Sequence, residues 1–263
     1  MNNNKEYESD TNNISQSSVI VTAFIPNSNK RDPKIYIEYA QRLLELDLYK
    51  IIFIDPDFYK QYYIYQSFPK TKFIMFKRDD IYLYKYRHLI TDFNIYTDNP
   101  DKDSIDYIFI QCHKTEWLKI AIESRMFNSD QYVWIDFGIF HLFKNIDEIK
   151  RAQNAIYQIC TRYYCYLRIP NGWNPDYVYS NNPFNGITWY FLGGIFGGNI
   201  ESLYRFADLM KEKCINIIEN RHTLVWEVNI WYLIYRDLFD KNEHNKLFNL
   251  YNADHNLSML ELY

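Results

Sequence analysis

The chain reads as an α/β protein, a mainly parallel sheet flanked by helices in a single domain. Two features predict this. VIVTAF (19–24) and KIIFID (50–55) are compact β-branched runs separated by one amphipathic helical segment, the pattern of a βαβ unit. Apolar strand-like runs then go on alternating with helical periodicity, and no internal repeat is present.

VIVTAF reads as a buried first strand. Asp32 and Pro33 supply an N-cap and a first-turn proline, opening a helix through about Asp47 with Ile35, Tyr39, Leu43 and Leu46 on one face. KIIFID is the second strand, ended by Pro56, and KFIMF (72–76) is the third. A mixed region leads to the turn DNPDKD (98–103), after which one helix is expected from Ser104 to Met126. QYVWID (131–136) is the next strand, followed by a helix near 146–158, strand-like RYYCYLRI (162–169) and a loop rich in Asn, Pro and Gly (171–186). ITWYFL (187–192) reads as a strand, and helices from Asn199 to Glu219 and from Leu224 to Phe239 close the fold.

Composition narrows the function. With 48% hydrophobic residues the chain can bury a large core, whereas residues 1–18 hold no apolar run and are expected as a disordered tail before a domain at 19–263. That tail is no signal peptide, and charges or prolines break every later apolar stretch, so a cytoplasmic protein without a membrane span is expected. Four cysteines without a CxxC pair fit reduced thiols and argue against structural zinc. A net charge of −4 leaves no basic excess for a nucleic-acid backbone. The 26 tyrosines are spread evenly, as codon bias would spread them, so no single tyrosine is singled out as a binding platform.

Four of the seven glycines fall within LGGIFGG (192–198). Glycine permits close approach to bare backbone, so this segment either lines a ligand or allows tight packing around Phe191 and Phe196. WIDFG (134–138) places Asp136 at the carboxyl end of a strand, where an open α/β sheet offers its ligand crevice and a carboxylate can hold a hard cation; the alternative is a turn aspartate beside Gly138. DFG is also a kinase tripeptide, but the chain lacks a G-x-G-x-x-G loop, HRD and GxxxxGK[ST], which excludes kinase, dinucleotide and P-loop readings. In LVWEVNIWYLIY (224–235) Glu227 lies in an almost wholly apolar helix, where an ionised carboxylate needs a partner. It is a catalytic candidate, or else an ion-pair partner of Arg221, Arg236 or Arg205, or a first-turn carboxylate favoured by the helix dipole.

SVIVTAF, the following Arg31, FNSDQYVWIDFGIF and GGIFGG occur in the order seen in the HtrL/YibB-type family, which resembles glycosyltransferases of the GT-A type. The resemblance runs from about Val19 to His255 and implies a GT-A-like fold, a nucleotide-diphosphate sugar donor, UDP-linked, a hydroxyl acceptor, and Mn²⁺ or Mg²⁺ on the diphosphate. Matched by position, it implies that Thr22, Ala23 and Phe24 edge the nucleotide base and that Trp134, Asp136, Gly193 and Gly194 line the donor. Lys114 and Arg31 would neutralise the leaving diphosphate, although a solvated lysine and a surface arginine are the plain alternatives. Asp136 stands where the family type has its D-x-D metal motif, but the second acidic position is Gly138, so His255 near the chain end is the candidate second ligand, or an ordinary surface imidazole. Glu227 matches the acidic residue that some retaining members carry, as base, nucleophile or sugar-hydroxyl acceptor. The missing second acid also motivates a non-catalytic nucleotide-sugar-binding module, and a sugar-binding lectin is a third possibility. The loop from Asn171 to Gly186, with Trp173 and Tyr177, is the expected acceptor site.

Overall fold

The computed structural model describes residues 18–27, 33–61, 68–95, 97, 102–172, 182–184 and 186–263. Arg31, Asp32, Trp173, Tyr177 and the expected tail up to residue 17 lie outside the described residues. Ser18, expected in that tail, belongs to the fold: it is buried, and its N–H donates to Cys160 O at 2.8 Å.

Among the described residues seven strands form one mixed sheet: β1 (Val19–Phe24), β2 (Lys50–Ile54), β3 (Thr71–Met75), β4 (Gln131–Ile135), β5 (Leu167–Asn171), β6 (Ile195–Asn199) and β7 (Phe248–Asn252), in the order β3-β2-β1-β4-β6-β5-β7. The first four pair in parallel, with Val21 opposite both Ile51 and Trp134. β6 returns antiparallel to β4, and β7 runs parallel to β5. The expected α/β class with a mainly parallel sheet is therefore found.

Among the described residues eight helices pack on the two faces of the sheet: α1 (Pro33–Leu44), α2 (Pro56–Gln61), α3 (Ile105–Cys112), α4 (Lys114–Glu123), α5 (Ile146–Thr161), α6 (Ile200–Arg221), α7 (Glu227–Asp240) and α8 (Ser258–Glu261). Alternation along each strand divides the core between the faces. Val19, Val21, Ile51, Phe53, Tyr132, Trp134 and Phe196 point to one side, where they pack with Phe109 of α3, Trp117 of α4, Phe206 of α6 and Trp231 of α7. Ile20, Val133, Ile135 and Ile195 point to the other side, packing with Leu43 of α1, Ile156 of α5 and Met259 of α8.

Local chemistry sets the helix starts. Asp55 Oδ1 accepts from the N–H groups of Asp57 and Phe58 at 2.9 and 3.0 Å, Asn145 caps α5, and Asn199 Oδ1 accepts from Ser202 N at 2.9 Å to start α6. α6 ends at His222, whose φ of 54° is left-handed.

Three sequence expectations are corrected. The helix expected from Ser104 to Met126 is two helices, α3 and α4, that meet at His113. ITWYFL is not a strand: Thr188 is engaged by the Asn229 side chain, and Phe191 makes only an isolated bridge to Asn171. The strand lies further on, at IFGGN, so the second glycine pair sits inside β6 instead of in a connector. Of RYYCYLRI only the end from Leu167 is extended, and β7 was not expected from sequence at all.

Candidate active site

The strand order places the chain's reversal point between β1 and β4, since β1 leads outward to β2 and β3 on one side while β4 lies on the other. At such a point the connections leave the carboxyl edge in opposite directions and open a crevice. Phe24 ends β1 on one side of it, and Asp136 directly follows β4 on the other. Thr22 is fully buried, whereas Ala23 and Phe24 are half-buried at the edge; the Phe24 ring lies 5.1 Å from Phe137, 4.5 Å from Phe58 and 5.1 Å from Tyr36.

Beneath Asp136 is a buried charged cluster. Lys114, the first residue of α4, falls on the same face as Trp117, Leu118 and Ala121, and this apolar stripe carries it into the core. Its Nζ lies 3.0 Å from Asp136 Oδ1, 3.1 Å from Glu227 Oε1 and 3.0 Å from Gly193 O. The solvated lysine is thus corrected to a buried one, and the partner of Glu227 is Lys114, not an arginine: Arg205 pairs with Glu243, while Arg221 and Arg236 lie over the Phe184 and Tyr232 rings. Burial alone would lower the Lys114 ammonium, but Asp136 and Glu227 reverse this and raise it above the ordinary lysine value.

Six of the expected residues converge here: Lys114, Trp134, Asp136, Gly193, Gly194 and Glu227. Trp134 packs in the core, stacked 5.8 Å from Trp117, and its Nε1–H donates to Asp136 Oδ1 at 2.7 Å. Asp136 N–H donates to Gly194 O at 2.9 Å, so the carboxylate and the first glycine pair adjoin. Gly193 has a specific reason to be glycine: a Cβ there would lie 2.5 Å from Glu227 Oε1. At Gly194 the added atom would meet Ile139 Cδ1 at 3.1 Å. Glu227 opens α7 and is 3% exposed; its Oε2 is buried without a hydrogen-bond partner, so this first-turn carboxylate has one oxygen committed to Lys114 and one unused. The remaining glycines of the cluster belong to packing, because a Cβ on Gly197 would lie 2.5 Å from Tyr132 O and one on Gly198 2.5 Å from Tyr166 O.

His255 is exposed, its ring tilted 45° to that of Trp189 with centroids 6.0 Å apart. Desolvation of its inner face lowers the imidazole from its ordinary value, His141 pushes the same way, Asp136 opposes, and Lys102 and Lys114 add to the lowering. For Mn²⁺ or Mg²⁺ the fit is poor: no group of three or more His, Cys, Asp or Glu side chains among the described residues is arranged to hold a metal ion, and Asp136 Oδ1 already accepts from Trp134 and is ion-paired with Lys114.

Sequence reasoning did not anticipate the Lys114–Glu227 pair, which joins residues 113 positions apart. The signal was the apolar stripe that includes Lys114. It also missed Asn229, fully buried in α7, whose Oδ1 accepts from Thr188 N and Oγ1 and whose Nδ2 donates to Pro183 O and Gly186 O, fixing the segment that leads to Trp189.

No helix among the described residues is long and apolar enough to cross a membrane. No protein-family model and no curated protein matches the chain. Among solved structures, the apo form of mouse xyloside xylosyltransferase 1 is similar over 89% of this chain and 84% of that one, at 10% sequence identity and a TM-score of 0.42.

Proposed function

We propose that the chain is a glycosyltransferase that moves a hexose from a nucleotide-diphosphate sugar, UDP-linked, to a hydroxyl acceptor. The observation that carries this reading is the Glu227 carboxylate, joined through Lys114 to Asp136 at the edge of the reversal-point crevice, with Oε1 held by Lys114 and Oε2 buried and unused. A buried acceptor with no partner costs about 1–3 kcal/mol, which a donor hydroxyl entering the site would offset. The motif order, which resembles that of the HtrL/YibB-type family, supports the same reading.

In this reading Ala23 and Phe24 edge the nucleotide, and Asp136, Gly193 and Gly194 adjoin the sugar. Glu227 Oε2 accepts the proton of the attacking hydroxyl as the new C–O bond forms and the nucleoside diphosphate leaves. Lys114 keeps that carboxylate in place.

Incubating the protein with a panel of uridine, guanosine and cytidine diphosphate sugars, and following each by mass spectrometry, tests the activity. Consumption of one donor is expected. General-base assistance is worth about 10²–10⁴ in rate, so Glu227→Gln should lower kcat by at least about a hundredfold with donor binding retained. The substituted amide keeps an oxygen for Lys114, so the fold should survive. A second reading has its own observation: the cluster closes on itself, as a structural ion pair would, and a non-catalytic nucleotide-sugar-binding module would bind donor without consuming it. Bound but intact donor across the panel decides for that module.

A further inference from the structure

The three groups around Lys114 Nζ are all oxygens: the Asp136 and Glu227 carboxylates and the Gly193 carbonyl, at 3.0, 3.1 and 3.0 Å. Two carboxylates and a backbone carbonyl converging on one point are what a hard divalent cation selects, at about 2.0–2.6 Å. Here an ammonium group occupies that point, and it is locked there. Lys114 is 3% exposed; its Nζ donates to Gly193 O and Glu227 Oε1 and is ion-paired with Asp136 Oδ1. A dication on the outer Asp136 oxygen would find one protein carboxylate and, a few ångströms away, a like charge that repels it.

We propose that Lys114 is the resident cation of this site, standing where a divalent metal ion would otherwise sit, so that the chain has no strong metal site there and uses its donor without one. The use of donor rests on the glycosyltransferase reading; the occupancy of the cation position does not.

The occupancy also makes a prediction about the empty cage. Truncating the lysine leaves two carboxylates and a carbonyl around a hole with no positive charge, so the substitution should create a metal site instead of merely removing a contact. Mn²⁺ titrated into the protein without nucleotide, and followed by the electron paramagnetic resonance of the free hexa-aqua ion, reads this directly. The wild-type chain should leave sub-millimolar Mn²⁺ free. Lys114→Ala should bind one Mn²⁺ per chain at least about tenfold more tightly, because ligand charge sets affinity in such sites, and adding Asp136→Asn should abolish the gain. Wild-type protein that binds one Mn²⁺ tightly, and loses it on Asp136→Asn, overturns the proposal. So does a folded Lys114→Ala protein that leaves the ion free. If circular dichroism shows Lys114→Ala unfolded, the wild-type and Asp136→Asn titrations decide alone. In parallel, any donor consumption by the wild-type chain should be unchanged by EDTA, and turnover abolished by EDTA and restored by Mn²⁺ counts against the proposal. Absence of consumption with and without EDTA removes the transferase reading and leaves the Mn²⁺ titrations to judge the resident cation.

Discussion

At the scale of single residues the site depends on an absence of atoms. Gly193 leaves room for the Glu227 carboxylate to reach Lys114, and an added Cβ would stand 2.5 Å from Oε1 and 3.3 Å from Val228 Cγ1. Neither neighbour can retreat freely, since the carboxylate is tied to Lys114 and Val228 is 1% exposed. Gly193→Ala should therefore turn Glu227 off its lysine, lowering stability by about 1–3 kcal/mol in chemical denaturation. In the proposed transferase reading the transfer rate should also fall by at least about tenfold, from the loss of general-base assistance. Unchanged kcat in the folded variant would show that the Lys114–Glu227 pair does not set the chemistry. The individual residues of the site were legible because each broke a local pattern: an acid in an apolar helix, an acid ending a buried strand, glycines in a chain that otherwise avoids them. Their pairing was not legible. A lysine near position 114 and an acid at 227 meet only because α4 and α7 lie on the same face of the sheet, and no local pattern records that.

Elements differ in how plainly the sequence declares them, and the reason lies in what covers each one. β1, β2 and β4 are covered on both faces, so they are continuous apolar runs and were placed to within a residue. β6 is equally buried but carries Gly197 and Gly198, which no strand preference would favour, and the apolar run ITWYFL just before it drew the assignment instead. The glycines are needed because backbone presses on them: a Cβ on Gly197 would lie 2.5 Å from Tyr132 O and 2.7 Å from Val133 Cα. Unlike a side-chain tip, a central strand cannot move aside without breaking the β4–β6 ladder. Gly197→Ala should cost about 3 kcal/mol or more and lower the denaturation midpoint accordingly, while Gly186→Ala, with nothing within 4 Å of its added Cβ, should be nearly silent. Equal effects at the two positions would refute the packing account of the second glycine pair.

For the whole molecule, one histidine couples the core to acidity. His113 joins α3 to α4 and is 1% exposed in a box of Phe76, Tyr82 and Trp117 rings, 5.3, 5.4 and 4.9 Å away, with neither ring nitrogen hydrogen-bonded. Burial, and then the nearby Lys211 charge, push its imidazole down to about 3 from 6.5. Between those values the unfolded chain binds a proton that the folded chain refuses, so folding stability falls as pH falls through that window and is unaffected by this group above it. The slope approaches about 1.4 kcal/mol per pH unit, which makes the loss about 2 kcal/mol by pH 5. Urea denaturation of the wild-type chain and of His113→Phe between pH 7.5 and 5 isolates the effect, since carboxylate titration is common to both. The difference between the two stabilities should be flat above pH 7 and shift in favour of the variant by about that amount at pH 5. Parallel profiles would place the imidazole in contact with water or with a proton acceptor.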